Sequence, residues 1–425
     1  MTVFRDNTAP AFTPPRRVAL VGFLFSAAVT SAFTAMPFFV FNQLGGGAMM
    51  AGLFAGVQAA GYAATSLVSS RFVARAHNGL SWGMLGVFGF MLFVCAMPLF
   101  RDPWVCGALF TAALTMTALA WPAFHSYVGA EHVPAMRARH MGLLNIGWSV
   151  GSAAGPFVAG PLYVLDYRLP FVFIALLCVA VLFLLRSIPD ESGYFGEAAA
   201  DVLQLRAAHD LASESLLLSA WCATFAAHVC IGATRAAVPK RLDDIIAAGQ
   251  LRLFFEHEAM IGLNAAAATR FSWLVMSLGL AMGGVFFILG RGAWWHHRFS
   301  VLVAIQTLTA AAMWTLGHTH SIVLMAFCFA VIGANLGVAF FSSGFYGMAN
   351  PLRKHSRAAI NEGVVGMGGL VGGIGFALVA EAGGIEAPFY GMPFVMMAVI
   401  LVQFTLIQIN RARAAANPSN EGAEI

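Results

Sequence analysis

The sequence predicts an all-α polytopic membrane protein, with about twelve transmembrane helices in two pseudo-symmetric six-helix bundles. Three observations carry this reading. Of the 425 residues, 60% are hydrophobic and 10% charged, with a mean hydropathy of +0.79. Soluble domains of this size do not show that balance. Apolar runs of about 20 residues, enough to cross a bilayer, recur along the whole chain. A polar stretch at 187–213 divides these runs six and six, and related motifs open the fifth (RARHMGLLN, 137–145) and eleventh (RKHSRAAINEG, 353–363).

In chain order, residues 1–17 form a polar cytoplasmic N-terminus with no hydrophobic core of their own. The apolar run that follows is too long for a signal peptide and reads as an uncleaved first span. The spans are 18–42, 47–70, 80–99, 103–130, 140–164 and 168–186 in the N-terminal bundle (18–186). After the cytoplasmic linker 187–213 come 214–238, 265–290, 299–317, 321–348, 359–382 and 388–410 in the C-terminal bundle (214–410), then a cytoplasmic tail at 411–425. In the short loops Lys and Arg concentrate on one side, with Arg16, Arg17, Arg71, Arg75, Arg137, Arg139, Arg291 and Arg298 there against Arg101 and Arg168 opposite, while Lys240, Arg241, Arg252 and Arg270 in and beside the long outer loop are the exception. This bias places both termini in the cytoplasm, and the expected location is a bacterial inner membrane. The outer loop 239–264 mixes Lys240, Arg241, Asp243, Asp244 and Glu256, and predicts a solvated or interfacial helix. The six cysteines fall in apolar runs without CxxC spacing and read as small buried hydrophobes.

The fifth span is the most informative stretch. Gly147, Gly151 and Gly155 recur every four residues and form one small-residue stripe on a helix. In lipid such a stripe admits a second helix at close range. Pro156 lacks an N–H and predicts a kink. The stripe suits either an interface that slides or a permanent glycine seam. Further small-residue stripes lie on the second span (Gly52, Gly56, Ala60) and the eighth (Gly279, Gly283).

Gly142, Gly151, Gly155-Pro156 and Ala159-Gly160 in this spacing resemble the fifth-helix signature of the major facilitator superfamily, especially its drug–proton antiporter branches. The resemblance implies twelve helices, with spans two, five, eight and eleven meeting across the halves and spans one, four, seven and ten lining a central cavity. The chain departs from the family in two places. The charged loop after span two is reduced to Ser70-Arg71 and Arg75, although its counterpart GRGAWWHHR keeps Arg291 and Arg298 as candidate gating charges. The antiporters' usual span-four arginine and first-half membrane carboxylate are missing, so their coupling scheme does not transfer.

On span seven, Trp221, Thr224, His228 and Arg235 share one face, and His228 falls near mid-membrane. Intramembrane ionisable groups are costly and face a cavity or a partner. Arg235 keeps its charge and must face water, an anion or a helix end. Span ten offers Asn335, Ser342 and Tyr346; span four offers Thr117, Trp121 and His125; span one offers Ser26, Thr30 and Thr34; and span two offers Gln58. Together they describe an aromatic-walled cavity with a few neutral hydrogen-bonding groups, suited to an amphipathic small molecule. No Asp or Glu falls near the centre of any span, so ion coupling rests on His228, His125, Glu362 or Arg235. Glu362 equally suits a gate or helix-start contact.

The expected function is secondary active transport of a small neutral or anionic amphipathic molecule by alternating access, with proton or sodium as coupling ion. Export by antiport is favoured by the fifth-helix signature, and uptake of a sugar or organic acid is the runner-up. An intramembrane enzyme needs clustered acids with metal, HExxH or a Ser/Lys pair, and none is present. No cofactor, metal or nucleic-acid partner is expected, and the chain reads as a monomer in contact with membrane lipid.

Overall fold

The computed structural model describes residues 14–73, 79–129, 131, 134–189, 211–253, 266–348 and 354–416. Among the described residues twelve helices follow in order: α1 (Pro14–Gln43), α2 (Ala48–Val73), α3 (Gly79–Ala96), α4 (Pro103–Gly129), α5 (Pro134–Leu165), α6 (Leu169–Arg186), α7 (Leu211–Ala247), α8 (Ala267–Leu289), α9 (Phe299–His318), α10 (Ile322–Met348), α11 and α12 (Ala387–Ala416). Helix α11 is composite, with Lys354–Leu370, a π-helical turn at Val371–Gly375 and Phe376–Gly383. Eleven of the twelve are long and apolar enough to cross a membrane. The exception is α5, whose 32 residues suffice in length but whose Gly, Ser, Asn and Arg dilute its hydropathy. Most of the linker, the tail beyond Ala416, Arg75 and the side chain of Arg71 lie outside the described residues.

The two halves repeat one packing scheme. In the first, α1 packs on α5 and α6, α4 on α2 and α3, and α3 on α6. In the second, α7 packs on α11 and α12, α10 on α8 and α9, and α9 on α12, so every pairing recurs six helices later. Between halves, α5 meets α8 and α2 meets α11, and these two seams are exchanged by the same shift.

The glycine stripe of α5 does not lie on a seam between halves. A Cβ at Gly147, Gly151 or Gly155 would overlap the carbonyl oxygens of Ala19, Phe23 and Ala27, all on α1 of the same half. The Ser26 hydroxyl ties this contact, donating to Trp148 O at 2.8 Å and lying 2.7 Å from Ser152 Oγ. The stripe is therefore a packed intra-half seam, which corrects the sliding-interface reading of these glycines. A different face of α5 crosses to the other half, where Ala153 meets Gly279, Ser149 meets Gly283, and Gly160 meets Ala268 and Ser272. Helix α5 runs through Pro156 as one continuous helix. Gly142, the first glycine of the signature, has nothing within 4 Å of an added Cβ.

The expected outer loop is also revised. Helix α7 continues through Pro239 to Ala247, and Arg241 on this extension is 3% exposed. Its guanidinium donates to Gly317 O and Thr319 O at 3.0 Å each, at the C-terminal end of α9, and lies 3.5 Å from Glu386. The last carbonyls of a helix lack intrahelical donors and carry the negative end of its dipole, so a buried cation is stable there. Lys240 bonds Asp244 at 2.6 Å on the exposed side.

Two outcomes are expected from this packing. Gly151→Leu yields aggregated protein on size exclusion, because overpacking costs about 1–3 kcal/mol per misfit even when modest, whereas Gly142→Leu melts with wild type. Arg241→Ala lowers stability by about 2 kcal/mol, read as a reduced Tm, since two buried carbonyls lose a charged donor.

Candidate substrate pathway

The pathway is built on the face of α7. Thr224 is buried, and its hydroxyl donates to Ala220 O at 2.9 Å and lies 3.3 Å from Ala339 O of α10. This contact sets the register of α7 against α10. One turn farther along each antiparallel helix, His228 and Asn335 come to the same level. His228 Nδ1 lies 2.8 Å from Thr224 O, which leaves Nε2 as the ring's free pole. Asn335 is 0% exposed, and neither its amide oxygen nor its amide nitrogen has a partner among the described residues. The indole N–H of Trp221 is likewise buried without a partner. Buried polar groups are nearly always hydrogen-bonded, because leaving one bare costs about 1–3 kcal/mol. Asn335, with His228 at its level, forms a polar layer with unused bonding capacity, and the Trp221 indole lies about 10 Å from it along α7.

Aromatic contacts close the bundle on either side of this layer. Toward the end where α1 begins, Trp121 packs on Phe25 at 5.5 Å and Trp148 at 6.3 Å, and Trp148 packs on Phe340 at 4.9 Å and Phe286 at 5.7 Å. Toward the opposite end, Phe38 contacts Tyr163 and Phe271 at 6.0 Å, and Phe271 contacts Phe329 at 6.3 Å. Both sets draw on helices of both halves. The aromatic walls of the predicted cavity thus touch one another, and the state described is closed at both ends.

The other predicted residues divide by what their polar atoms already do. Thr30, Thr34, Thr117 and Gln58 bond back to Ser26 O, Thr30 O, Leu114 O and Ala55 O of their own helices, at 2.6–2.9 Å. Back-bonding of this kind is local to the helix. His125 Nδ1 lies 2.9 Å from Trp121 O, one turn back. Ser342 is buried at 3% exposure. Tyr346 is remote from the layer, because its hydroxyl accepts the His297 N–H at 3.1 Å and its ring packs beside Trp295 at the terminal end. That corrects its placement on the cavity wall. The same loop is anchored by buried Trp295, whose indole N–H donates to Leu289 O at 2.9 Å. Arg291 and Arg298 are exposed there without an ion pair among the described residues, and Arg291 lies over the Phe287 ring at 3.6 Å.

Two contacts between halves were missed in the sequence. The Tyr62 hydroxyl of α2 donates to Glu362 Oε2 of α11 at 2.6 Å. His125 of α4 lies within electrostatic range of the same carboxyl group. Arg235 of α7 lies over the Phe33 ring of α1, its guanidinium carbon 3.6 Å from the centroid. The available signal for Tyr62 was its place one turn beyond Gln58, on a helix already marked by small residues.

Residues 18–360 match the family profile of the Major Facilitator Superfamily. No curated protein matches the sequence. Solved structures share the fold at low identity. The nucleoside transporter NupG superposes with a TM-score of 0.65 at 11% identity, covering 93% of this chain and 99% of that one. The human organic anion transporter MFSD10 gives 0.62 at 14%, covering 93% and 100%. A bacterial homologue of the human lysosomal transporter Spinster, inward-facing and unoccupied, gives 0.64 at 14%, covering 94% and 97%. The chain belongs to the Major Facilitator Superfamily, as a multi-pass membrane transporter and not an enzyme.

Proposed function

We propose that the protein exports a small neutral or anionic amphipathic molecule by antiport, with both termini in the cytoplasm of a bacterial inner membrane. The observation that carries the reading is Asn335, buried between two aromatic closures with its amide unused, and His228 at the same level. A substrate that fills those bonds relieves a cost present in the closed, empty state. The two aromatic closures supply apolar surface for the rest of an amphipathic molecule. Opening at one end while the other stays shut requires the halves to tilt along α5–α8 and α2–α11, and the small residues on both seams keep side-chain interlocking low.

Coupling is assigned to Glu362 with a proton as the ion. Its carboxyl group lies on the α2–α11 seam, where the Tyr62 hydroxyl donates to it. A carboxylate accepts that bond better than a carboxylic acid, so protonation weakens a tie between the halves. Export over import rests on the fifth-helix signature. Uptake is the second reading, favoured by the lack of any Asp or Glu beside Asn335 and His228 to drive an exchange at the substrate layer.

Flux in proteoliposomes under imposed proton and sodium gradients separates these readings. Export predicts substrate movement against an inward proton gradient and indifference to sodium; uptake along that gradient would overturn it. Asn335→Leu is expected to weaken substrate half-saturation at least tenfold with an unchanged Tm. Glu362→Gln is expected to retain substrate counterflow and lose gradient-driven accumulation. Equal loss of both activities would remove Glu362 from coupling.

A further inference from the structure

We infer that Arg235 and the recess around it form a subsite for the anionic group of the substrate, so that the transported class is an organic monoanion of the carboxylate or sulfonate type with an apolar body. This deepens the transporter reading and rests on it. Arg235 lies within a membrane-crossing helix, yet none of its N–H groups has an acceptor, and it makes no ion pair, among the described residues. Among the described residues the Phe33 ring face is its cation–π contact, and the His228 imidazole lies within its electrostatic range. A ring face compensates a guanidinium by about 2 kcal/mol even when desolvated. The cost of a charge within the membrane exceeds that.

Nearby carboxylates do not fill the deficit. Asp244 is held by Lys240 at 2.6 Å, and Glu381 is exposed. The recess beside Arg235 is lined by Phe33, Pro37, Ala51, Ala55 and Phe110, so it joins α1, α2 and α4 of one half to α7 of the other. Its wall is otherwise apolar, and at about 10 Å³ it holds no more than one water molecule in the closed state. An anion therefore enters when Phe33 leaves the guanidinium as α1 tilts away from α7. The planar fork of Arg then offers paired N–H donors to two oxygens of a carboxylate or sulfonate.

Position also sets a length. Arg235 and His228 are seven residues apart on one face of α7, about 10 Å at 1.5 Å per residue. A substrate that reaches both carries its charge about 10 Å from a group that hydrogen-bonds at the His228 and Asn335 level, with apolar atoms between.

The test uses three probes with one body: 4-phenylbutyrate, 4-phenylbutyramide and 4-phenylbutylamine. Half-maximal thermal stabilisation of the purified full-length protein is measured for each. Wild type is expected to respond to the carboxylate at a concentration at least tenfold below that for the amide, with no response to the amine. Arg235→Gln is expected to bring the carboxylate-to-amide ratio to about one, and Arg235→Lys to leave it intermediate. Phe33→Leu keeps the charge and is expected to keep the preference. Equal responses to carboxylate and amide in wild type, an unchanged ratio in Arg235→Gln, or no response to any probe each overturn the subsite. If Arg235→Gln does not purify monodisperse, the wild-type ratio and its shift in Arg235→Lys decide. Gradient-driven flux of a neutral substrate with no anion preference would sink the subsite and leave the transporter reading standing.

Discussion

The structure depends on how closely helices can approach in lipid. Apolar side chains gain nothing by leaving hydrocarbon for protein, so helix association relies on contact between backbones and on hydrogen bonds. The chain meets this constraint in two ways. Within the first half, Gly147, Gly151 and Gly155 lie directly on the α1 backbone, and Ser26 adds hydrogen bonds to α5. Between halves, small residues meet small residues or single side chains, as at Ala153 with Gly279 and at Gly56 with Ile374. The intra-half seam is both close and bonded. Along α5–α8, close contact is made without such a hydroxyl tie, which is the difference expected between a contact that persists and one that parts.

The polar interior gains its meaning from that closure. In water an unpartnered Asn would be satisfied at once, but Asn335 is sealed between aromatic layers. Its cost is tolerable only because the surrounding small-residue seams hold the bundle shut. The same logic applies to Arg235, whose charge is offset only in part by a ring face from the opposite half. A ligand that satisfies these groups makes the closed arrangement less dependent on the aromatic contacts. Binding energy is thereby linked to the positions of the two halves, as a shift between their states requires.

Much of this was legible in the sequence, and the losses have physical causes. Helix count was readable because apolar length fixes how often a chain crosses, but α7 runs through Pro239 to Ala247, beyond the end at 238 that the sequence predicts. Helix α5 was readable in spite of its low hydropathy, through the four-residue glycine period. That period identifies a face and not its partner, and so the stripe was open to assignment to a moving seam when it belongs to α1. Arg241 read as a solvated loop residue because its acceptors, Gly317 O and Thr319 O, lie more than 70 residues away. Tyr62 carried no signal beyond an aromatic on an apolar helix, since its partner is 300 positions distant. Asn335 and His228 were found because a polar group at mid-span is improbable without a use. Tyr346 was misplaced for the converse reason. It shares a helical face with Ser342, but it lies near the helix end, where a loop backbone N–H takes its hydroxyl.

The two missed contacts complement one another across the bundle. Glu362 joins α11 to α2 near the terminal end, and Arg235 joins α7 to α1 toward the other. Each crosses between halves, and each depends on a charge that a ligand or a proton can neutralise. Helix α11 links them mechanically. Its glycines at 368 and 372 rest on the α7 backbone at Phe225 and Val229, while Gly366 and Gly373 rest on α2. The π-helical turn at Val371–Gly375 lies within this sandwich, and such turns break the regular ladder at positions that have to adapt. A shift of α2 on release of Glu362 therefore presses on the same helix that packs against the Cβ of His228. The ion site and the substrate layer are thus joined through one glycine-rich helix whose backbone touches both halves.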